Sequence, residues 1–213
     1  MPKNITFSLG NIALIDKIDS ETDFSESVFG NIGGRSRSFI PAVKLLISNK
    51  LNQSVSINKI LDFTPAEQLE IFGFEETISN RSLYRVLERL GDNQPVVLEA
   101  YKNRDLAEKF IRDLKEGAEM RLVRHWSKHA VISFVLVVLV TKVLVSLTQF
   151  FCKNPIVKNL KVLKKYLTNL TLTIVYPSFG YGIKIISNFS PELQPVLGDF
   201  IQKFGSLNPP DFW

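Results

Sequence analysis

Tyr101-Lys-Asn-Arg104-Asp-Leu-Ala-Glu108-Lys-Phe-Ile-Arg112-Asp-Leu-Lys115 is the stretch on which the reading of this chain turns. At the helical increment of about 100° per residue, Tyr101, Arg104, Glu108 and Lys115 fall within an arc of roughly 60°. Leu106, Ala107, Phe110, Ile111 and Leu114 take the opposite side. The spacing predicts a helix from Asn103 to Glu116, closed by Gly117, that buries one face and presents a carboxylate between cations on the other. A carboxylate so placed can hold a divalent ion while Arg and Lys take phosphate oxygens, as metal-assisted attack on a phosphodiester requires. The same spacing also suits a solvated helix face, where Glu and Arg four apart are worth roughly 0.2–0.5 kcal/mol.

Charge is distributed unevenly around this stretch. The whole chain of 213 residues carries +5, with 45% hydrophobic residues, which excludes a disordered tail. Residues 1 to 34 sum to −3 and residues 35 to 92 to +1, whereas residues 101 to 165 hold fourteen Lys or Arg against five acids. Attraction to a polyanion is expected to concentrate there. Cys152 is the only cysteine, so no intrachain disulfide forms, and a reducing cytoplasm is the expected setting. His125 and His129 lack a third ligand for zinc and read as exposed side chains beside Trp126. The opening Met1-Pro2-Lys3-Asn4-Ile5 does not carry the pattern of a secretory signal.

Upstream, Ile5, Phe7, Leu9, Ile12 and Leu14 suit a short strand or hairpin, and the acidic, Ser-rich run from Asp16 to Ser27 before Gly33-Gly34 reads as a linker. A helical pattern then begins. Pro41 suits the first turn of a helix to Lys50, Ser56 a cap for a short helix, and Thr64-Pro65-Ala66-Glu67 a capping box for a helix stopped by Gly73. Ser79 caps a helix from Asn80 that places Leu83, Val86, Leu87 and Leu90 on one face and Arg81, Arg85 and Arg89 on the other. Such a face can be a solvated surface or the DNA-contacting helix of a helix-turn-helix-like module.

Downstream, Ala130 to Phe151 is almost wholly apolar and long enough for a bilayer span, yet Lys142 sits in its middle. A Lys at that depth costs about 2.5–3.5 kcal/mol on insertion scales, so a buried helix of an α/β core is the preferred reading. A Lys-rich amphipathic helix from Ile156, two strands at Thr171–Tyr176 and Gly182–Ser187, and a last helix from Ser190 to Phe204 complete the pattern.

The Tyr101-Arg104-Glu108-Lys115 spacing resembles the signature around the last catalytic acid of DDE insertion-sequence transposases with an RNase H-like catalytic domain. Its sequel is similar too, through Arg121-Leu122-Val123-Arg124-His125-Trp126 and the long apolar helix, as are Phe39 to Leu46 and Ser82 to Gly91. The resemblance implies Glu108 as the third catalytic carboxylate and a ligand of Mg2+ or Mn2+, with Tyr101, Arg104 and Lys115 as its companions. It also implies DNA contacts by Arg81, Arg85, Arg89, Arg112, Arg121 and Arg124. The family's first two aspartates have no identifiable counterpart: only Asp92 to Ala100 fills the interval where their strands belong, and Asp62 lies in the helical module. One Glu cannot hold two hard cations that each prefer about six oxygen ligands.

The expectation is therefore an internally deleted transposase of mostly α with a small β component (α+β). It comprises an N-terminal strand and acidic linker at 1–34, a helical module at 35–92, and the remnant of an RNase H-like domain at 93–213. Its expected partners are the terminal inverted repeats of transposon DNA and full-length transposase. The alternatives are a single-span membrane protein anchored by residues 130–151 and a helical DNA-binding transcription regulator. Loss of the catalytic sheet is further expected to leave the 130–151 helix uncovered and the chain poorly soluble.

Overall fold

Lys3–Ser8 forms β1, and its partner lies far away in the sequence. The computed structural model describes residues 3–34, 36–52, 55–93, 128–152, 160–177 and 182–207. In it β1 pairs antiparallel with β2 (Thr171–Tyr176), which pairs antiparallel with β3 (Ile183–Ser187), in the order β1-β2-β3. The register aligns Phe7 with Leu172 and Leu172 with Ile186, and the two-residue side-chain period puts these buried residues on one face with Ile174. Thr6 and Thr173 stand opposite one another on the other face, their hydroxyl oxygens 2.9 Å apart. A parallel bridge from Ile185 to Ser206 extends β3.

The linker expected at Asp16 to Ser27 is overturned, because this stretch is helical. α1 spans Gly10–Thr22 and α2 Phe24–Gly33, joined at Asp23 with φ 50°. Two long-range effects explain the miss. Leu9 N–H donates to Leu170 O at 2.8 Å, and Gly10 lies so close to the chain that a Cβ there would be 2.3 Å from Leu167 O. Glycine here permits close approach of two backbones, not a turn. The acidic side chains, read as a solvated linker, are held by distant lysines. Lys44 Nζ lies 2.6 Å from Asp19 and 3.8 Å from Asp16, and Lys203 Nζ lies 2.5 Å from Asp16. α1 thereby buries Ile12, Leu14, Ile15 and Ile18 at the centre of the core.

Residues 39 to 92 follow the predicted pattern closely. α3 spans Phe39–Leu51, α4 Ile57–Ile60 with a 3-10 extension over Leu61–Phe63, α5 Ala66–Phe72, and α6 Asn80–Asp92. Gly73 stops α5 with φ 94°, the left-handed conformation expected of it. The expected capping box at Thr64 does not form: its hydroxyl donates backward to Ile60 O at 2.7 Å, closing the preceding turn instead.

α7 (Lys128–Cys152) is the apolar helix, and it is not left uncovered. It packs against α6, α3 and α1, with Leu136, Val137, Val140, Leu144 and Val145 in the common core. Ser133 donates its hydroxyl to Leu87 O of α6. Thr141 and Thr148 turn theirs onto Val137 O and Leu144 O, which satisfies both inside the helix. The expected uncovered helix is thus covered along one side, with half of its apolar stretch buried, and its largest exposure lies at Phe150 (72%) and Phe151 (46%). By length and composition Ile132–Cys152 is still apolar enough to cross a membrane, with a mean hydropathy of 2.2.

α8 (Leu160–Asn169) precedes β2, and its Leu163 and Leu167 are buried. The single final helix expected to Phe204 is broken into a 3-10 turn at Pro191–Leu193, a short α9 (Gln194–Leu197) and a 3-10 segment at Gly198–Lys203. Pro195 removes a backbone donor and Gly198 adopts φ 53°, so the α ladder cannot run through. The described structure is mostly helical with a small three-stranded antiparallel sheet, an α+β arrangement. One continuous core joins Phe7 of β1, Leu87 of α6, Leu144 of α7 and Leu172 of β2, so the three segments expected from sequence share a single interior.

Candidate nucleic-acid interface

α6 is the best-defined element among those expected to carry function. Ser79 caps it as expected, its hydroxyl accepting from Ser82 N–H at 3.2 Å. Leu83, Val86, Leu87 and Leu90 are buried, while Arg81, Arg85, Glu88 and Arg89 are exposed. The predicted two-sided helix is therefore present, with its apolar side fixed against α7.

The three arginines do not stand in equal settings. Arg89 donates from Nη1 to Gly33 O at 2.8 Å, which places a cation on the carbonyl end of α2. Arg81 and Arg85 make no ion pair or side-chain hydrogen bond among the described residues. Several other described cations are engaged: Lys17 with Glu21 and Val196 O, Arg37 with Glu75, and Lys44 and Lys203 with the α1 aspartates, whereas Lys165 and Lys184 are exposed without an ion pair among the described residues. A fixed helix with two exposed and uncommitted guanidiniums can donate to phosphate oxygens in the planar geometry those groups favour.

Sequence reasoning missed the support beneath this face. Asn58 of α4 accepts from Asn80 Nδ2 at its backbone oxygen (3.0 Å) and from the Tyr84 hydroxyl at Oδ1 (2.5 Å), tying α4 to the start of α6. Its neighbour Lys59 is exposed and also without a charged partner among the described residues. The available signal was the Ile57/Ile60 spacing, which turns Asn58 and Lys59 outward on one short helix.

Elsewhere Lys50 Nζ sits 3.9 Å above the Phe134 ring, and burial together with the Lys164 charge pushes its pKa down to about 8. Half-buried and held over an aromatic face, Lys50 is a poor phosphate donor. A cleft of about 820 Å³ opens between the end of α2, the start of α3 and residues 73–78. Glu26, Glu75 and Glu76 line it, with Arg37 bound to Glu75 at 3.2 Å, so its charge does not extend the cationic face.

Tyr101, Arg104, Glu108, Lys115, Arg112, Arg121 and Arg124 lie outside the described residues. Asp92 is the last residue of α6, and Asp62 is exposed on the 3-10 turn after α4. Among the described residues no group of three or more His, Cys, Asp or Glu is placed to hold a metal ion. Comparison of the chain with protein-family models, with curated proteins and with solved structures returned no match.

Proposed function

We propose that this chain is a transposase-family protein, internally deleted, that binds transposon-end DNA through α6 without a complete catalytic site. The Tyr101-Arg104-Glu108-Lys115 spacing and its sequel supply the family reading, with the RNase H-like domain as its fold. The observation that carries the binding role is the pair Arg81 and Arg85, exposed and without described partners on a helix whose other face is locked in the core. In the intact family Mg2+ or Mn2+ would be held with the help of the acid that Glu108 matches, and this chain is not expected to bind it productively. With no identifiable counterparts for the two aspartates, no cleavage or strand-transfer step is assigned to this chain. Binding DNA ends, or pairing with full-length transposase, would make it a competitor of transposition in the cytoplasm.

The test is a mobility-shift titration of the full chain at fixed salt, on a duplex bearing the inverted repeats that flank its reading frame. Arg81→Ala with Arg85→Ala is expected to weaken binding about tenfold, roughly 1.4 kcal/mol. Unchanged affinity rejects α6 as the DNA contact. Binding to a promoter duplex with no repeats flanking the gene favours the transcription-regulator reading instead. The membrane reading rests on residues 130–151, and Ile132–Cys152 is a helix long and apolar enough to cross a bilayer. Alkaline carbonate extraction is expected to release the chain, because α7 is already packed on α3 and α6.

A further inference from the structure

We infer that Lys59 of α4 is part of the same DNA-contacting surface as Arg81 and Arg85, and that Asn58 and Tyr84 are the positioning residues that hold the two helices as one platform. The inference rests on the DNA-binding reading of α6 and extends it to an element that no motif marks.

Three observations converge. Lys59, Arg81 and Arg85 are exposed cations with no ion pair among the described residues, a state that Lys165 and Lys184 share elsewhere on the surface and that Lys17, Arg37, Lys44 and Lys203 do not. Lys59 follows Asn58 directly, and Arg81 follows Asn80 directly, while Asn58 and Asn80 are hydrogen-bonded to each other at 3.0 Å. One turn along α6, Tyr84 binds the same Asn58 through its side chain, so α4 is fixed at two points and cannot rotate independently. Ile57 and Ile60 anchor the opposite side of α4 in the core. Asp62, Glu88 and Asp92 are the exposed acids on these same elements, and against them Lys59, Arg81, Arg85 and Arg89 leave a net charge of +1.

An excess of positive charge spread over two fixed helices suits the backbone of duplex DNA, whose phosphates recur regularly and carry no sequence information. Lys59, a flexible point charge, supplies a sequence-independent phosphate contact. Arg81 and Arg85 sit on the longer helix and can reach a groove. Arg89, tied to Gly33, is a strut of the fold and not a member of this surface.

The experiment measures affinity of the full chain over a salt series, for the repeat-bearing duplex and for a scrambled duplex of equal length. Lys59→Ala is expected to weaken both duplexes alike, by a few-fold, and to reduce the slope of log affinity against log salt by about 0.9. Tyr84→Phe is expected to blunt this effect, so that adding Lys59→Ala to Tyr84→Phe costs less than Lys59→Ala alone. A normal slope for Lys59→Ala, while Arg81→Ala with Arg85→Ala still weakens binding, overturns the two-helix platform and leaves the α6 reading intact. A wild-type chain that binds neither duplex overturns the α6 reading itself. Circular dichroism melts of each variant separate loss of contact from loss of fold.

Discussion

The aspartates of α1 and the arginines of α6 are both helix-face charges, and they stand in opposite settings. On α1, Asp16 and Asp19 are largely covered and answered by Lys44 and Lys203, which arrive from α3 and from the last 3-10 segment. On α6, Arg81 and Arg85 are exposed and answered by nothing among the described residues. The first arrangement is saturated and serves the fold; the second is open and serves a partner. Position on a helix face alone does not tell an answered charge from an open one; the distant partner does.

Breaking the α1 side should give the largest change in stability. Lys44→Met leaves the partly buried Asp19 carboxylate without its cation, while Asp16 keeps Lys203, and is expected to cost about 2 kcal/mol in urea unfolding at neutral pH, the buried-pair penalty discounted for exposure. Burial pushes the Asp19 carboxyl upward, but hydrogen bonds from Lys44 and Ser25 outweigh it and leave its pKa below the ordinary 3.8. A carboxyl lowered by folding contributes stability that is complete above its unfolded pKa and is lost as pH falls through the folded one. The cost of Lys44→Met should therefore shrink below about pH 4; a constant cost across that range would mean Lys44 acts by packing.

A smaller effect divides α6 against itself. Arg89→Ala removes a charged donor from Gly33 O and is expected to cost about 1 kcal/mol in the same assay. Smaller still, Arg81→Ala and Arg85→Ala should each move stability by less than about 0.5 kcal/mol, the range of surface changes that break no contact. A loss comparable to that of Arg89→Ala would assign these arginines to the fold and erase the contrast.

Much of α6 was legible from the sequence: Ser79 as cap, Leu83, Val86, Leu87 and Leu90 as the buried stripe, and the arginines as the outer face. These features are local, set by helical period and capping, and they survive without knowledge of the rest. The two C-terminal strands and the stop at Gly73 were legible for the same reason. α1 was not, because its acids are neutralised by Lys44 and Lys203 and its Gly10 is chosen by contact with Leu167, all remote in sequence. The cover over α7 was hidden likewise, since α3 and α6 take the place assigned to a missing sheet. At the candidate interface Arg81 and Arg85 were found by periodicity, whereas Lys59 emerged only through the Asn58 bonds to Asn80 and Tyr84.

The pairing of β1 with β2 has a consequence for synthesis. Ser8 meets Thr171, so the first strand has no ladder partner until most of the chain has left the ribosome. At roughly 5–20 residues per second that wait lasts on the order of ten to thirty seconds. During it Phe7 and the unpaired β1 backbone are offered to chaperones or to other nascent chains, and the sheet can close only as a late, high-contact-order event. For this protein, the shielding of Phe7 and the β1 backbone matters throughout the synthesis of the residues that separate β1 from β2.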